Sequence, residues 1–144
     1  MKKTFAFLIV LSVAAAAFAP GCRKGPSVSF VLDSTVYTLN VEIADEPHEM
    51  ERGLMHRESL PHDSGMLFDF GKEVETAFWM KDTEIPLSIA FIGSDGKVLA
   101  IKDMAPYDLT AVNPPGAYRY AVEANRGWFQ EYGINPGTRV SFNI

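Results

Sequence analysis

The sequence predicts a mainly β fold of the α+β kind: a small, mostly antiparallel, barrel-like or strongly curved sheet carrying two short helices. Three observations predict it. Short apolar segments recur, several with period-two alternation; strong turn signals separate them at regular intervals; and only two stretches combine helical spacing with a plausible cap. There is no internal repeat and no low-complexity segment.

Taken in order, Val28 to Leu32 and Thr35 to Ile43 read as strands around an Asp33-Ser34 turn, since Val36, Thr38 and Asn40 alternate with Tyr37, Leu39 and Val41. Asp45 is placed to cap a first helix, with Glu46 and Pro47 in its opening turn, Met50 and Leu54 on one face and Gly53 weakening its end. Gly65 to Phe70 and Glu75 to Met80 read as strands joined by Gly71-Lys72-Glu73. Leu87 to Ile92 is a buried strand, and Ser94-Asp95-Gly96 is a hairpin turn into Lys97 to Lys102. Residues 103–116 contain three prolines and no period, the mark of a long ordered loop or flexible lip. Ala117 to Glu123 is a further strand. Asn125 is expected to cap a helix bearing Trp128, Phe129 and Tyr132 and stopped by Gly133; Asn135-Pro136-Gly137 turns into a final strand, Arg139 to Phe142. The tally is about eight strands.

The first 21 residues read as a cleaved export signal: Lys2 and Lys3 precede an apolar run from Phe5 to Ala19, too short for a membrane span and closed by Pro20-Gly21. Ala19-Pro20-Gly21-Cys22 is similar to a bacterial lipoprotein processing site, in which Cys22 is lipidated and holds the protein to a membrane. The competing reading is ordinary cleavage after Ala17-Phe18-Ala19, leaving Cys22 a free thiol; Pro20 directly after that cut argues against it. Cleavage before Cys22 leaves a polar tether over residues 22–27 and one domain over 28–144, long enough to bury a core. With Cys22 the only cysteine, no disulfide forms within the chain and packing must supply stability. The net charge is −5, and the leader takes two of the 13 basic residues while all 18 acidic ones remain. No basic run follows Arg23-Lys24, so nucleic acid and anionic headgroups are poor partners.

The segment Phe78 to Ile92 (FWMKDTEIPLSIAFI) wedges Lys81-Asp82-Thr83-Glu84 between two apolar runs that read as core strands. Charges fixed there must be paired or used. Arg52-Gly53-Leu54-Met55, Arg57, Leu60, Ser64-Gly65-Met66-Leu67-Phe68, this segment and Asp95-Gly96 stand in one order. They are followed by Tyr118-Arg119-Tyr120, Glu123-Ala124-Asn125-x-Gly127, Gly133-Ile134 and Gly137-x-x-Val140. Together they resemble the domain of unknown function 192 family from about Val36 to Phe142. The resemblance implies a compact β-rich domain, frequently exported or lipid-anchored, with no established activity. Two positions depart from the family's usual pattern: Asp82 stands where Asn is common, and Ser88 where Asp is common.

The candidate ligand-binding residues are Arg52, Arg57, Lys81, Asp82, Thr83 and Glu123: a cationic rim for an anion or hydroxyls, with Asp82 and Thr83 orienting the ligand. The structural alternative pairs Arg52 or Lys81 with Glu123 and spends Asp82 and Thr83 on turn hydrogen bonds. His48, His56 and His62 lie among Met50, Met55, Met66 and Met80, a combination that suits copper, but at spacing poor for a metal, so no metal or cofactor is assigned. The acids Glu49, Glu51, Glu58, Asp63 and Asp69 read as a solvated face rather than a catalytic dyad. Trp79, Tyr107, Tyr118, Tyr120, Trp128, Phe129 and Tyr132 read as core packing before stacking platforms. No nucleophile elbow, phosphate loop or zinc-ligand set occurs, so no catalytic residue is assigned. The expectation is a non-enzymatic, lipid-anchored binding or accessory protein of the cell envelope, its pocket beside Lys81-Asp82-Thr83 and rimmed by Arg52, Arg57 and the 103–116 loop. The alternatives are a small envelope enzyme using Asp82 or Glu123, and a protein–protein interaction module.

Overall fold

The computed structural model describes residues 25–144; the expected export signal, Cys22 and half of the expected tether lie outside the described residues. Seven strands form one sheet: β1 (Ser27–Leu32), β2 (Thr35–Ala44), β3 (Ser64–Val74), β4 (Leu87–Ile92), β5 (Val98–Met104), β6 (Tyr118–Asn125) and β7 (Arg139–Asn143). Helices α1 (Pro47–Arg52) and α2 (Trp128–Glu131) complete it. The strand order is β5-β4-β6-β3-β2-β1-β7, antiparallel except where β2 runs parallel to β3. The two outer strands meet at one end, where Lys97 bridges Arg139 and the Val140 N–H donates to the Gly96 carbonyl at 2.8 Å. That contact curls the sheet into a half-barrel, as the short alternating segments predict.

Each face of the curled sheet carries a core. Every strand contributes to the first, from Val28 and Phe30 on β1 to Val140 on β7, and α2 plugs it with Trp128 and Phe129. The second core draws on the middle strands (Met66, Phe68, Ile89, Phe91, Ala121) and is roofed by Leu54, Met80 and Ile85 from outside the sheet. β4 is therefore buried along its whole length, which explains why its residues are apolar except for Ser88.

Four expectations need correction. The sheet has seven strands, because β3 runs on through Gly71 to Val74 and Glu75 to Met80 is not a strand. There the chain leaves the sheet: Glu75 to Ala77 are exposed, and Phe78 alone forms a bridge, to Val112. The aromatic content of that run reflects packing of Phe78 against Phe68 at 5.0 Å, not pleating. α1 starts from Glu46 instead of Asp45, and the Glu49 carboxylate accepts the N–H groups of both, at 3.3 and 3.4 Å. Asn125 ends β6 and donates to the Leu60 and Pro61 carbonyls, while Gly127, at φ 85°, starts α2. The 103–116 loop begins only after Asp103 and Met104, which belong to β5.

Candidate functional site

The Lys81 wedge is not buried charge. With no strand before it, Lys81, Asp82 and Glu84 stay in water, and only Thr83 is buried between the core residues Met80 and Ile85. The segment is a turn: Asp82 takes φ 50°, the Thr83 N–H donates to Met80 and the Thr83 hydroxyl to the Lys81 carbonyl at 2.9 Å. Asp or Asn suits this left-handed position, so Asp82 fills the conformational role that Asn has in the family pattern. The Lys81 ammonium lies 5.5 Å from the Trp79 ring centroid, and Trp79 is half exposed.

Behind this turn the second core opens into a pocket of about 390 Å³. One wall is α1 and the turn after it, through Met50, Arg52, Gly53 and Leu54; the opposite wall is Thr76 to Trp79 with Thr83; the back is Phe68 and Phe70 of β3. The sequence builds the α1 wall locally: Pro47 and the Glu49 carboxylate fix its first turn, and Gly53 at φ 47° ends it beneath the Phe68 ring. Phe78 holds the far wall by edge contacts with Phe68, Phe70 and Phe91.

Glu123 completes the lining. It sits on β6 between Met66 of β3 and Ile89 of β4 and is 4% exposed. No cation and no hydrogen-bond donor meets its carboxyl among the described residues, and burial alone pushes its pKa up to about 8. A carboxyl so placed is mostly neutral at pH 7 and can both donate and accept a hydrogen bond.

Of the six candidate residues, then, the structure brings Arg52, Thr83 and Glu123 to one pocket. The other three lie elsewhere. Arg57 is engaged with Glu42 through two short hydrogen bonds, of 2.5 and 2.6 Å, which hold the Glu42 carboxyl below its usual range. Lys81 and Asp82 are outside the lining, as are the residues of the 103–116 loop, which packs on the turn from its outer side through the Met80 N–H to Asp108 carbonyl bond. The alternative pairing of Glu123 with Arg52 or Lys81 is not formed. Among the described residues no three His, Cys, Asp or Glu side chains converge as a metal site, and His62 is instead held between Asp63 and Glu131. Trp128 donates its indole N–H to Asp63, and Trp128 and Tyr132 pack at 4.9 Å, so those aromatics serve the fold.

The apolar walls were missed by reading the sequence for charged groups. Phe68, Phe70 and Phe78 looked like ordinary strand residues, and the signal that could have found them is the Met50/Leu54 stripe, which needs an apolar surface opposite it.

The family model for DUF192, described as Uncharacterized ACR, matches residues 29–142. A solved structure described as a "putative transcription regulator" from Sinorhizobium meliloti 1021 is 34% identical, with a TM-score of 0.78 over 83% of this chain and 95% of that one. A protein of unknown function from Novosphingobium aromaticivorans DSM 12444 is also 34% identical, with a TM-score of 0.77 over 80% of this chain and 83% of that one. No curated protein matches the chain.

Proposed function

The chain belongs to the DUF192 family, whose description assigns no activity, and we propose that it is a non-enzymatic binding protein for a small, largely apolar molecule bearing one polar group. The ligand's body occupies the pocket between α1 and residues 76–83, and its polar group meets Glu123. The observation that carries this reading is the carboxyl itself, 4% exposed and without a protein partner at the edge of a mainly apolar pocket whose other polar lining is Glu51, Arg52, Thr76 and Thr83. A carboxyl this enclosed has little access to water, and a hydrogen bond to it from a ligand's polar group contributes about 0.5–1.5 kcal/mol. A volume of about 390 Å³ fits a molecule of one ring or a short chain.

In this reading the protein works outside the cytoplasm, tethered to a membrane surface through lipidated Cys22. The neighbour's description as a regulator does not transfer: an acidic chain of net charge −5 with no basic run beyond Arg23-Lys24 lacks the charge that neutralises phosphates. A second reading, a small enzyme, has Glu123 as a general acid in its favour, but Asp82 is on the solvent side of the turn and supplies no second acid to the pocket.

Calorimetric titration of the protein with 2-phenylethanol tests the binding reading. Saturable heat is expected, and it should vanish in Ala77→Phe, which fills the pocket from its outer wall. Heat unchanged by Ala77→Phe, or absence of heat with the native protein for this alcohol and for its amine and carboxylate analogues alike, overturns the reading.

A further inference from the structure

Resting on that reading, we propose that the pocket's ligand is an organic cation, an amine with an aromatic or alkyl body whose ammonium group pairs with Glu123. The most enclosed polar group of the site is an acid, Glu123, whose carboxyl meets no cation of the protein among the described residues. Much of the remaining lining is aromatic: Phe68 and Phe78 meet edge to face at 5.0 Å, Phe70 adjoins them, and Trp79, whose ring already has the Lys81 ammonium 5.5 Å from its centroid, stands beside them. Ring faces attract a cation that has given up its water, by about 0.5–2 kcal/mol for each good contact. An anionic ligand would meet Glu123 as a like charge or as a costly neutral acid, and a hydrocarbon would leave the carboxyl unsatisfied.

The charged groups around Glu123 are compatible with this assignment. Along its row of the sheet it is flanked by Met66 and Ile89, neither of which titrates. Beyond Met66 stands Glu42, engaged with Arg57; beyond Ile89 stands Lys102, whose ammonium donates to the Asn113 carbonyl at 2.7 Å. Across the pocket α1 presents Glu51 and Arg52, adjacent, exposed and opposite in sign, and the far wall presents Thr83. Arg52 is exposed at the rim, where its charge acts on Glu42, and nothing else cationic lines the pocket.

Binding has a defined proton balance. The free protein holds Glu123 as the neutral acid below about pH 8. An ammonium ligand binds the carboxylate, so one proton passes from the Glu123 carboxyl to the buffer for each amine bound. Affinity therefore rises roughly tenfold per pH unit toward pH 8 and levels off above it.

The test is calorimetry with 2-phenylethylamine, 2-phenylethanol and phenylacetate at pH 6 and 8, in buffers of differing ionisation enthalpy. The expected result is tightest binding of the amine at pH 8, about one proton released per amine at pH 6, and a loss of at least tenfold for the amine in Glu123→Gln, with 2-phenylethanol unaffected by pH. Binding of 2-phenylethanol equal to or tighter than the amine at pH 8, or amine binding without proton release at pH 6, overturns the cation assignment and leaves the pocket reading standing. Failure of all three probes overturns both.

Discussion

Gly65 of β3 lies so close to β6 that a Cβ built on it would stand 2.2 Å from the carbonyl oxygen of Glu123. The same Cβ would come within 2.6 Å of a Leu39 methyl. Leu39 can shift, but a ladder carbonyl between β3 and β4 cannot move without disturbing both pairings. The glycine sets how closely β3 and β6 approach and so the position of the pocket's carboxyl. Gly65→Ala should destabilise the protein by about 1–3 kcal/mol, read from urea unfolding. A change within about 0.5 kcal/mol, the range of an ordinary surface substitution, would show that the strand relaxes freely.

Burial of Glu123 makes stability fall as pH rises. Its folded pKa of about 8 exceeds the ordinary value of 4.5, so between those limits the folded state holds a proton that the unfolded chain has released. Each pH unit in that window removes up to about 1.4 kcal/mol from this site. Glu123→Gln keeps the shape and cannot ionise, so the variant should gain stability over the native protein steadily from pH 5 to 8. Unfolding midpoints of the two proteins across that range check it, and parallel curves would contradict it.

Much of the fold was legible because local signals and the final packing agree. Asp33-Ser34 connects β1 and β2 as a two-residue turn, and the largely apolar segment Leu87 to Ile92 is the strand buried on both faces. Legibility failed where a tertiary contact decided the outcome. Glu75 to Met80 has the composition of a strand but lies outside the sheet, and this changed the meaning of Lys81: charges thought to be trapped between strands are on a solvated turn. Of the candidate site, Arg52, Thr83 and Glu123 were recognisable as polar groups in telling places. That Glu123 would lack a partner was not, because Arg52 and Lys81, the cations expected to pair with it, are held at the exposed end of α1 and on a solvated turn, positions that only the tertiary packing sets.

Ser88 stands where Asp is common in the family pattern, and it carries a hydrogen-bond network of its own. Its hydroxyl donates to Asp103 at 2.6 Å and accepts the Gly127 N–H at 3.0 Å, tying β4 to β5 and to the start of α2. The acid has in effect moved across the ladder to Asp103, where Arg126 also reaches it at 3.4 Å. Ser88→Ala leaves the half-buried Gly127 N–H without its partner and should cost about 0.5–1.5 kcal/mol. Ser88→Asp should cost more by facing one carboxylate with another, and adding Asp103→Asn should recover most of that loss. Thermal melts of the three variants decide it; no recovery in the double variant would count against the exchange.

His62 gives a pH effect confined to the surface. Its ring nitrogens meet Glu131 and Asp63, each at 3.0 Å, and those hydrogen bonds, Glu131's first, raise its pKa above 6.5. The protonated form is favoured in the folded state, so the stabilisation is fully present below the unfolded pKa and is lost as pH rises through the raised one. His62→Gln should therefore lower the melting temperature at pH 5.5 and leave it almost unchanged at pH 9. Both groups are exposed, so added salt should shrink the difference at the lower pH. An equal effect at the two pH values would mean that His62 contributes through its stacking near Tyr132, whose ring lies 6.3 Å away, and not through its charge.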